Sequence, residues 1–352
     1  MHILLTGGAG FIGSNFIHLV LRERPTVRIT NLDVLTYSGN LENLSDAEKN
    51  PRYRFVKGDI CDDKLVAGLV EECDAIVHMA AESHVDRSIL DSKPFVVSNV
   101  IGTQTLLDAA RKARGGEWKK SGRFVYVSTD EVYGSLPLDN PAMKFTEKTP
   151  LETNSPYSAS KAGGDMLARA YHHTFHMDIL TTRCSNNFGR FQFPEKVIPL
   201  FVTNLMEGKK VPLYGDGKNV RDWLHVDDHC DALLTLLEFP GIEGETFNIG
   251  AQHELDVLTI TGTLLELLNK PKTLIRYVED RPGHDRRYAV DSSKLTRVTG
   301  WTPKIDFKTG IRQTVEWFQA NEAWWRPIKQ GEFREYYERM YGQRKVLGEV
   351  KA

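Results

Sequence analysis

Short apolar runs alternate with longer stretches in which hydrophobic residues return every three or four positions. Ile3-Leu4-Leu5 precedes a helical pattern from Phe11 to Leu21, then Arg28 to Leu32 reads as a second strand and Tyr53 to Val56 as a third. Ala75 to His78 is a fourth, a helix runs from about Pro94 to Arg114, and Phe124 to Ser128 is a fifth. Strands alternating with helices predict βαβ units and a parallel sheet, which right-handed crossovers make doubly wound. A long helix is expected over Tyr157 to His176 and a strand over Ile179 to Arg183. Beyond about residue 185 the rhythm loosens. Strands at Val211 to Tyr214 and Thr246 to Ile249 mix with helices near Asp227 to Glu238 and Val257 to Leu268, punctuated by Pro and Gly.

Composition narrows the classes. The chain has 352 residues, 41% hydrophobic and 26% charged, which is ordinary for a globular protein long enough to bury a sizeable core. A net charge of -2 points to neither nucleic acid nor a membrane surface as the main partner. No apolar run is long enough to span a bilayer, and the first residues lack the pattern of a secretion signal. Cys61, Cys73, Cys184 and Cys230 have neither metal-ligand nor disulfide-framework spacing, so free thiols in a reducing cytoplasm are expected. His78, His84, His225 and His284 form no ligand-spaced set either, and no metal is expected.

After the first strand comes Thr6-Gly7-Gly8-Ala9-Gly10-Phe11-Ile12-Gly13. Glycines at Gly7, Gly10 and Gly13 permit a tight turn and let backbone N–H groups approach a pyrophosphate at a helix N-terminus. A strand before and a helix after give the motif its meaning: a Rossmann-like dinucleotide site. Asp33 lies twenty residues past Gly13, at the end of the second strand. A carboxylate there suits the ribose hydroxyls and repels a 2′-phosphate, favouring NAD over NADP, although Asp also caps strand-end turns. Asp59-Ile60 follows the third strand and borders the same region. The α/β chain then divides into a Rossmann-like domain at 1–185, a smaller C-terminal α/β substrate lobe at 186–340 with the chain crossing back, and a loosely ordered tail at 341–352.

Tyr157 and Lys161 stand four apart, on one helix face. A nearby ammonium lowers a phenol's pKa, so the pair can exchange a proton with an alcohol while a hydride leaves its carbon. Thr129, Asp130 and Glu131 follow the fifth strand, where open α/β sheets bind ligands. One protonated and one ionised carboxyl suit an acid–base elimination; the same triplet also makes an ordinary N-cap.

Taken together these motifs resemble the extended short-chain dehydrogenase/reductase superfamily, and more closely the dTDP-glucose 4,6-dehydratases. The likeness also rests on Leu35 to Asn40, Ala80 to Ser88, Ser155 to Lys161, Ser185 to Gly189, Phe193 to Lys196, Tyr214 to Gly217, Arg221 to Trp223 and Asp280 to Tyr288, so it runs nearly the whole chain. The Gly loop and Tyr157/Lys161 mark only the superfamily, whereas the acidic pair separates dehydratases from 4-epimerases. The resemblance implies that Tyr157, helped by Thr129, removes the proton from sugar O4 as C4 gives a hydride to NAD. It makes Glu131 the base at C5 and Asp130 the acid at the departing C6 hydroxyl. Lys161 lowers the Tyr157 pKa and contacts the nicotinamide ribose.

By the same resemblance, Phe11, Ile12, Asp33, Val34, Leu35, Thr36, Asp59, Ile60, Ala80, Ala81, Ser98 and Asn187 match cofactor positions. Ser83, Asn186, Lys196, Val197, Pro212, Tyr214, Arg221, Asn248, Arg281, His284 and Asp285 match sugar-nucleotide positions. Arg221 and Arg281 suit a diphosphate, which guanidinium binds bidentately. Relatives also pair their long helices in a homodimer, here those near Pro94 to Arg114 and Tyr157 to His176. A UDP-glucose 4,6-dehydratase, a UDP-hexose 4-epimerase and a catalytically silent sugar-nucleotide-binding protein are the rival readings; a GDP-mannose 4,6-dehydratase would tend to prefer NADP, against Asp33. One departure stands out: Ala251 to Asp256 replaces a longer Gly- and Asn-containing run, which relatives place near the nucleotide and which bears on thymine against uracil.

Overall fold

The apolar runs of the first half become the strands of one parallel sheet. The computed structural model describes residues 1–342 and 344–349. The chain runs β1 (His2–Thr6), α1 (Phe11–Glu23), β2 (Arg28–Asp33), β3 (Tyr53–Lys57), α2 (Asp63–Glu72), β4 (Ala75–His78), α3 (Val85–Leu90), α4 (Lys93–Val96), α5 (Thr103–Lys112), α6 (Trp118–Ser121), β5 (Arg123–Thr129), α7 (Pro156–Phe175) and β6 (Asp178–Cys184). It continues through β7 (Asn186–Phe188), α8 (Val197–Met206), β8 (Val211–Tyr214), β9 (Val220–His225), α9 (Val226–Glu238), β10 (Thr246–Ile249), β11 (Glu254–Asp256), α10 (Val257–Leu267), β12 (Ile275–Val278), α11 (Ser293–Thr299), α12 (Phe307–Ala320), α13 (Glu322–Ile328), α14 (Glu332–Tyr337) and β13 (Val346–Glu349).

Seven strands form the main sheet in the order β10-β6-β5-β4-β1-β2-β3. Every neighbouring pair is parallel. β1 and β4 are buried at every position, because helices cover both faces of such a sheet. Phe16, Ile17, Val20, Leu233 and Leu237 of α1 and α9 fill one side. Val66, Val70, Leu106, Leu107 and Trp118 fill the other. The order reverses between β1 and β4, which opens a crevice at the carboxyl ends of the strands.

The chain does cross back: β10 joins the main sheet beside β6, and α9 packs on α1. The smaller lobe holds two three-stranded sheets, β11-β9-β7 and β13-β12-β8. Its own core is built on Ile198, Phe201, Leu264, Phe318 and Trp325. Among the described residues no helix is long and apolar enough to cross a membrane.

Three elements differ from expectation. The helix at Pro94 to Arg114 is interrupted by a π-turn, Val97–Gly102, between α4 and α5. Asn99 accounts for the bulge by turning its side chain to the Glu82 backbone and to Ser160 Oγ, and π-turns of this kind cluster at functional sites. α2 carries no assignment in the sequence reading, yet Asp62 caps it through two backbone N–H groups and Val66, Leu69 and Val70 form its buried stripe. The tail is not loose where it is described: β13 pairs antiparallel with β12, and Tyr341 stacks on Tyr214. Residues 343 and 350–352 of the expected tail lie outside the described residues.

Candidate active site

The turn after β1 makes a cradle that side chains would fill. Gly7 has φ 75°, and a Cβ there would stand 2.7 Å from the Ala80 backbone; one on Gly13 would stand 2.4 Å from the Gly7 carbonyl oxygen. Gly10 caps α1 with no side-chain hydrogen bond, so the first-turn N–H groups face the crevice. A cavity of about 460 Å³ begins here, lined by Gly7, Gly10, Phe11, Ile12, Gly13, Asp33, Val34, Thr36, Asp59, Ile60, Ala80, Ala81, Ser98 and Asn187. A glycine cradle, an uncapped helix N-terminus and a carboxylate at the far strand fit a dinucleotide.

Asp33 shapes the turn and also lines the cavity. Its oxygens accept from Ala9 N–H at 2.9 Å and Leu35 N–H at 2.8 Å, which shapes the turn. Each oxygen keeps a lone pair for a hydroxyl. Burial raises its pKa, and the two N–H groups oppose the shift. Leu35, at φ 59°, forms the turn beside the cavity without lining it.

The same cavity continues over the end of β5 to Thr129, Asp130, Glu131, Tyr157 and Lys161. α7 starts where it does because Ser155 and Ser158 make a capping box and Pro156 occupies the first turn. It lies close on β5 because Gly164 leaves room for the Tyr126 hydroxyl, 2.2 Å from where a Cβ would be. Tyr157 and Lys161 are thereby set beside the strand end. Thr129 both caps the turn after β5, accepting from Glu131 N–H at 3.3 Å, and lines the cavity.

Electrostatics divide the two carboxyls. Burial, then the Glu131 charge, pushes the Asp130 pKa well above the carboxylate range, and Asp130 Oδ2 is buried without a partner. Burial raises the Glu131 pKa too, but Arg281, Arg221 and Lys196 hold it back. Both pKa values therefore rise, and that of Asp130 rises further, so Asp130 is the one biased to the acid form.

The Tyr157–Lys161 pair departs from expectation. Burial, followed by the Glu131 charge, pushes the Tyr157 pKa well above that of a free phenol. The Lys161 ammonium turns instead to the Val127 carbonyl at 2.7 Å, and burial brings its pKa down to about 8.

A second cavity of about 170 Å³ adjoins the first, since Glu131, Asn186, Glu195 and Lys196 line both. Val197, Pro212, Tyr214, Arg221, Arg281 and His284 line it as expected; Ser83 lines the first cavity and accepts from Lys196 Nζ through its carbonyl at 2.8 Å. Arg221 lies 4.1 Å over the Tyr288 ring and donates to the Val220 and Asp285 carbonyls, and among the described residues no carboxylate forms a salt bridge with it. Arg281 pairs with Asp86 at 3.1 Å and keeps a buried Nε without a partner. These cations point into a space that suits an anion.

Asn248 and Asp285 lie outside the lining of both cavities. Asn248, fully buried in β10, bonds the Tyr133 hydroxyl at 2.8 Å and the Phe145 carbonyl at 3.0 Å. Asp285 props Arg221 from behind through its carbonyl, while its carboxylate takes Asn154 and Tyr288. None of the altered 251–256 segment lines either cavity, although Val257, which follows it, lines the second: Asp222 holds its Ala251 and His253 N–H groups, and Glu254 pairs with Arg287. Residues missed by the sequence reading include Tyr288 and Tyr341, which line the second cavity, and Glu195. The only signal for Tyr341 was aromatic spacing with Tyr336 and Tyr337.

Comparison with known proteins agrees with this geometry. A family model described as GDP-mannose 4,6 dehydratase matches residues 4–314. A dTDP-glucose 4,6-dehydratase of Actinoplanes sp. is 51% identical over 330 residues, covering 92% of this chain and all of that protein. The solved dTDP-glucose 4,6-dehydratase of Streptomyces venezuelae with NAD bound superposes with a TM-score of 0.88 at 49% identity, over 94% of this chain and 100% of that one. The Bacillus anthracis dTDP-glucose 4,6-dehydratase in complex with NAD gives 0.86 at 49% identity, with the same coverage.

Proposed function

The chain belongs to the dTDP-glucose 4,6-dehydratase family, and from that premise we propose that it removes water from dTDP-glucose to give the 4-keto-6-deoxy sugar nucleotide, with NAD as a bound cofactor. When bound, NAD supplies the hydride acceptor at C4 and donor at C6, and brings positive charge into the site while oxidised. Tyr157 takes the proton from O4 once the Lys161 ammonium turns to it and offsets the burial that raises its pKa, and Thr129 Oγ hydrogen-bonds that oxygen. Lys161 binds the nicotinamide ribose beside Tyr157. Glu131 removes the proton at C5, which the C4 ketone has acidified, and returns a proton to C5 when C6 has been reduced. Asp130 gives its proton to O6, which departs as water. Lys196, Arg221 and Arg281 hold the diphosphate. The apolar lining at Val197, Leu200, Phe201, Pro212 and Val257 suits the thymine methyl group.

The observation that carries this reading is the divided acidic pair: burial and the neighbouring charge push Asp130 far towards its acid form, while Arg281, Arg221 and Lys196 limit the rise at Glu131. An epimerase needs neither carboxyl. Turnover of dTDP-glucose and UDP-glucose, read as loss of one water by mass spectrometry, tests it. Water loss, faster from dTDP-glucose, supports the proposal; an epimer of unchanged mass would remove it.

The acid–base assignment sets the pH profile. Glu131 must be ionised, so the rate falls as pH drops through its raised pKa. Asp130 must be protonated, and Lys161 loses its ammonium at about 8, so the rate falls again as pH rises. A bell is expected, its limbs belonging to the coupled pair rather than to one residue. A kcat that stays level well beyond pH 8 contradicts the assignment.

The reading includes a cytoplasmic homodimer. Ile89, Leu90, Val96, Ile101 and Met166 expose 42 to 49% of their surface along α3, α4, the π-turn and α7, an apolar face that pairing would cover. All four cysteines are free thiols, as a reducing compartment keeps them. Sedimentation should show a dimer, and Ile101→Glu with Met166→Glu should shift it to monomer; a monomeric wild type contradicts the pairing.

A further inference from the structure

Arg87 lines neither cavity, yet it joins three segments that do or that flank them. Its guanidinium carbon lies 3.8 Å over the Tyr37 ring and 4.1 Å over the Tyr336 ring, and its Nε meets Glu195 Oε2 at 2.9 Å. Tyr37 donates to the other Glu195 oxygen at 2.8 Å, so both lone carboxylate oxygens of this buried residue are held. Tyr37 stands in the loop whose Thr36, Ser38 and Gly39 line the dinucleotide cavity. Glu195 and the following Lys196 line both cavities. Tyr336 belongs to α14 and meets His84 at 3.2 Å, one residue past Ser83.

We propose that Arg87 is a positioning residue that couples the cofactor loop to the sugar-nucleotide site. The clamp is a single planar cation stacked on one ring from the cofactor loop, bonded to the carboxylate that precedes Lys196, and closed by a ring from the C-terminal helix. A ligand that draws Lys196 into place fixes Glu195, and Glu195 fixes Tyr37 and its loop both by accepting the Tyr37 hydroxyl and through Arg87, which is stacked on the Tyr37 ring. Occupancy of either cavity therefore strengthens binding in the other, and linkage makes the effect reciprocal. Lysine cannot replace the arginine, because a point charge does not stack between two rings while also bonding the carboxylate.

The inference rests on the assignment of the two cavities to NAD and dTDP. Its test is equilibrium binding without turnover. NAD affinity is measured by calorimetry with and without dTDP, and dTDP affinity with and without NAD. In the wild type each ligand should tighten the other about tenfold. Arg87→Met and Arg87→Lys should reduce both factors towards one, with circular dichroism unchanged in the lysine variant. Equal coupling in wild type and Arg87→Lys overturns the clamp, as does wild-type binding of both ligands without coupling. A wild type that binds neither ligand overturns the function proposed above as well, and so separates the two failures.

Discussion

Glu131→Gln is expected to abolish exchange of the C5 hydrogen with deuterated solvent and to lower kcat about 10²- to 10⁴-fold, the usual worth of a positioned general base. Glutamine keeps the shape and can hydrogen-bond, but it cannot accept the proton at pH 7. Asp130→Asn should cost a similar factor while stopping a different step. Glu131 would still exchange the C5 hydrogen in that variant, but O6 would lack its proton donor and water would leave slowly. The assignment follows from the environment: burial and the neighbouring charge bias Asp130 to its acid form, whereas three cations hold Glu131 towards ionisation. Exchange and water loss measured together on both variants separate the roles. Normal C5 exchange in Glu131→Gln would assign the base elsewhere.

Arg281→Met should damage both stability and substrate binding. The Arg281 guanidinium meets Asp86 at 3.1 Å, with the two side chains 15% and 4% exposed. Removing one member of such a pair leaves a buried charge without its counter-ion, at a cost of about 3–5 kcal/mol. Tyr214, which donates to the other Asp86 oxygen at 3.1 Å, compensates only in part. KM for dTDP-glucose should rise, because the diphosphate loses a charge partner, and kcat should fall too, with its acid limb moved to higher pH, because Arg281 is the foremost cation restraining the Glu131 pKa. Adding Asp86→Asn should restore much of the melting temperature and none of the affinity. Recovery of both would make Arg281 a structural residue alone.

Much of this was legible from local pattern. The main-sheet strands announced themselves as short apolar runs because covered parallel strands are buried on both faces. The glycine turn, Asp33 and the Tyr157/Lys161 pair have fixed spacings that a single βαβ unit or helix dictates. Local pattern ran out where burial or distance decided the outcome. Asn248 has a polar side chain in a site-like run, but β10 inserts it into the main sheet, where its amide satisfies neighbours. The Lys161 ammonium sits one helical turn from Tyr157 as predicted, and is drawn to the Val127 carbonyl. The Arg87 clamp joins residues 37, 87, 195 and 336, whose separations carry no periodic signal. The tail looked irregular because β13 is only four residues long and gains its order from pairing with β12.

The central claim is one sugar nucleotide oxidised at C4, dehydrated across C5 and C6, and reduced at C6 within one binding event. dTDP-glucose carrying deuterium at C4, turned over in ordinary water and read by mass spectrometry and NMR, tests it most directly. A product lighter by one water, with the deuterium at C6 and ordinary hydrogen at C5, is the predicted result. Deuterium retained at C4 in a product of unchanged mass would contradict the dehydratase and the roles given to Asp130 and Glu131.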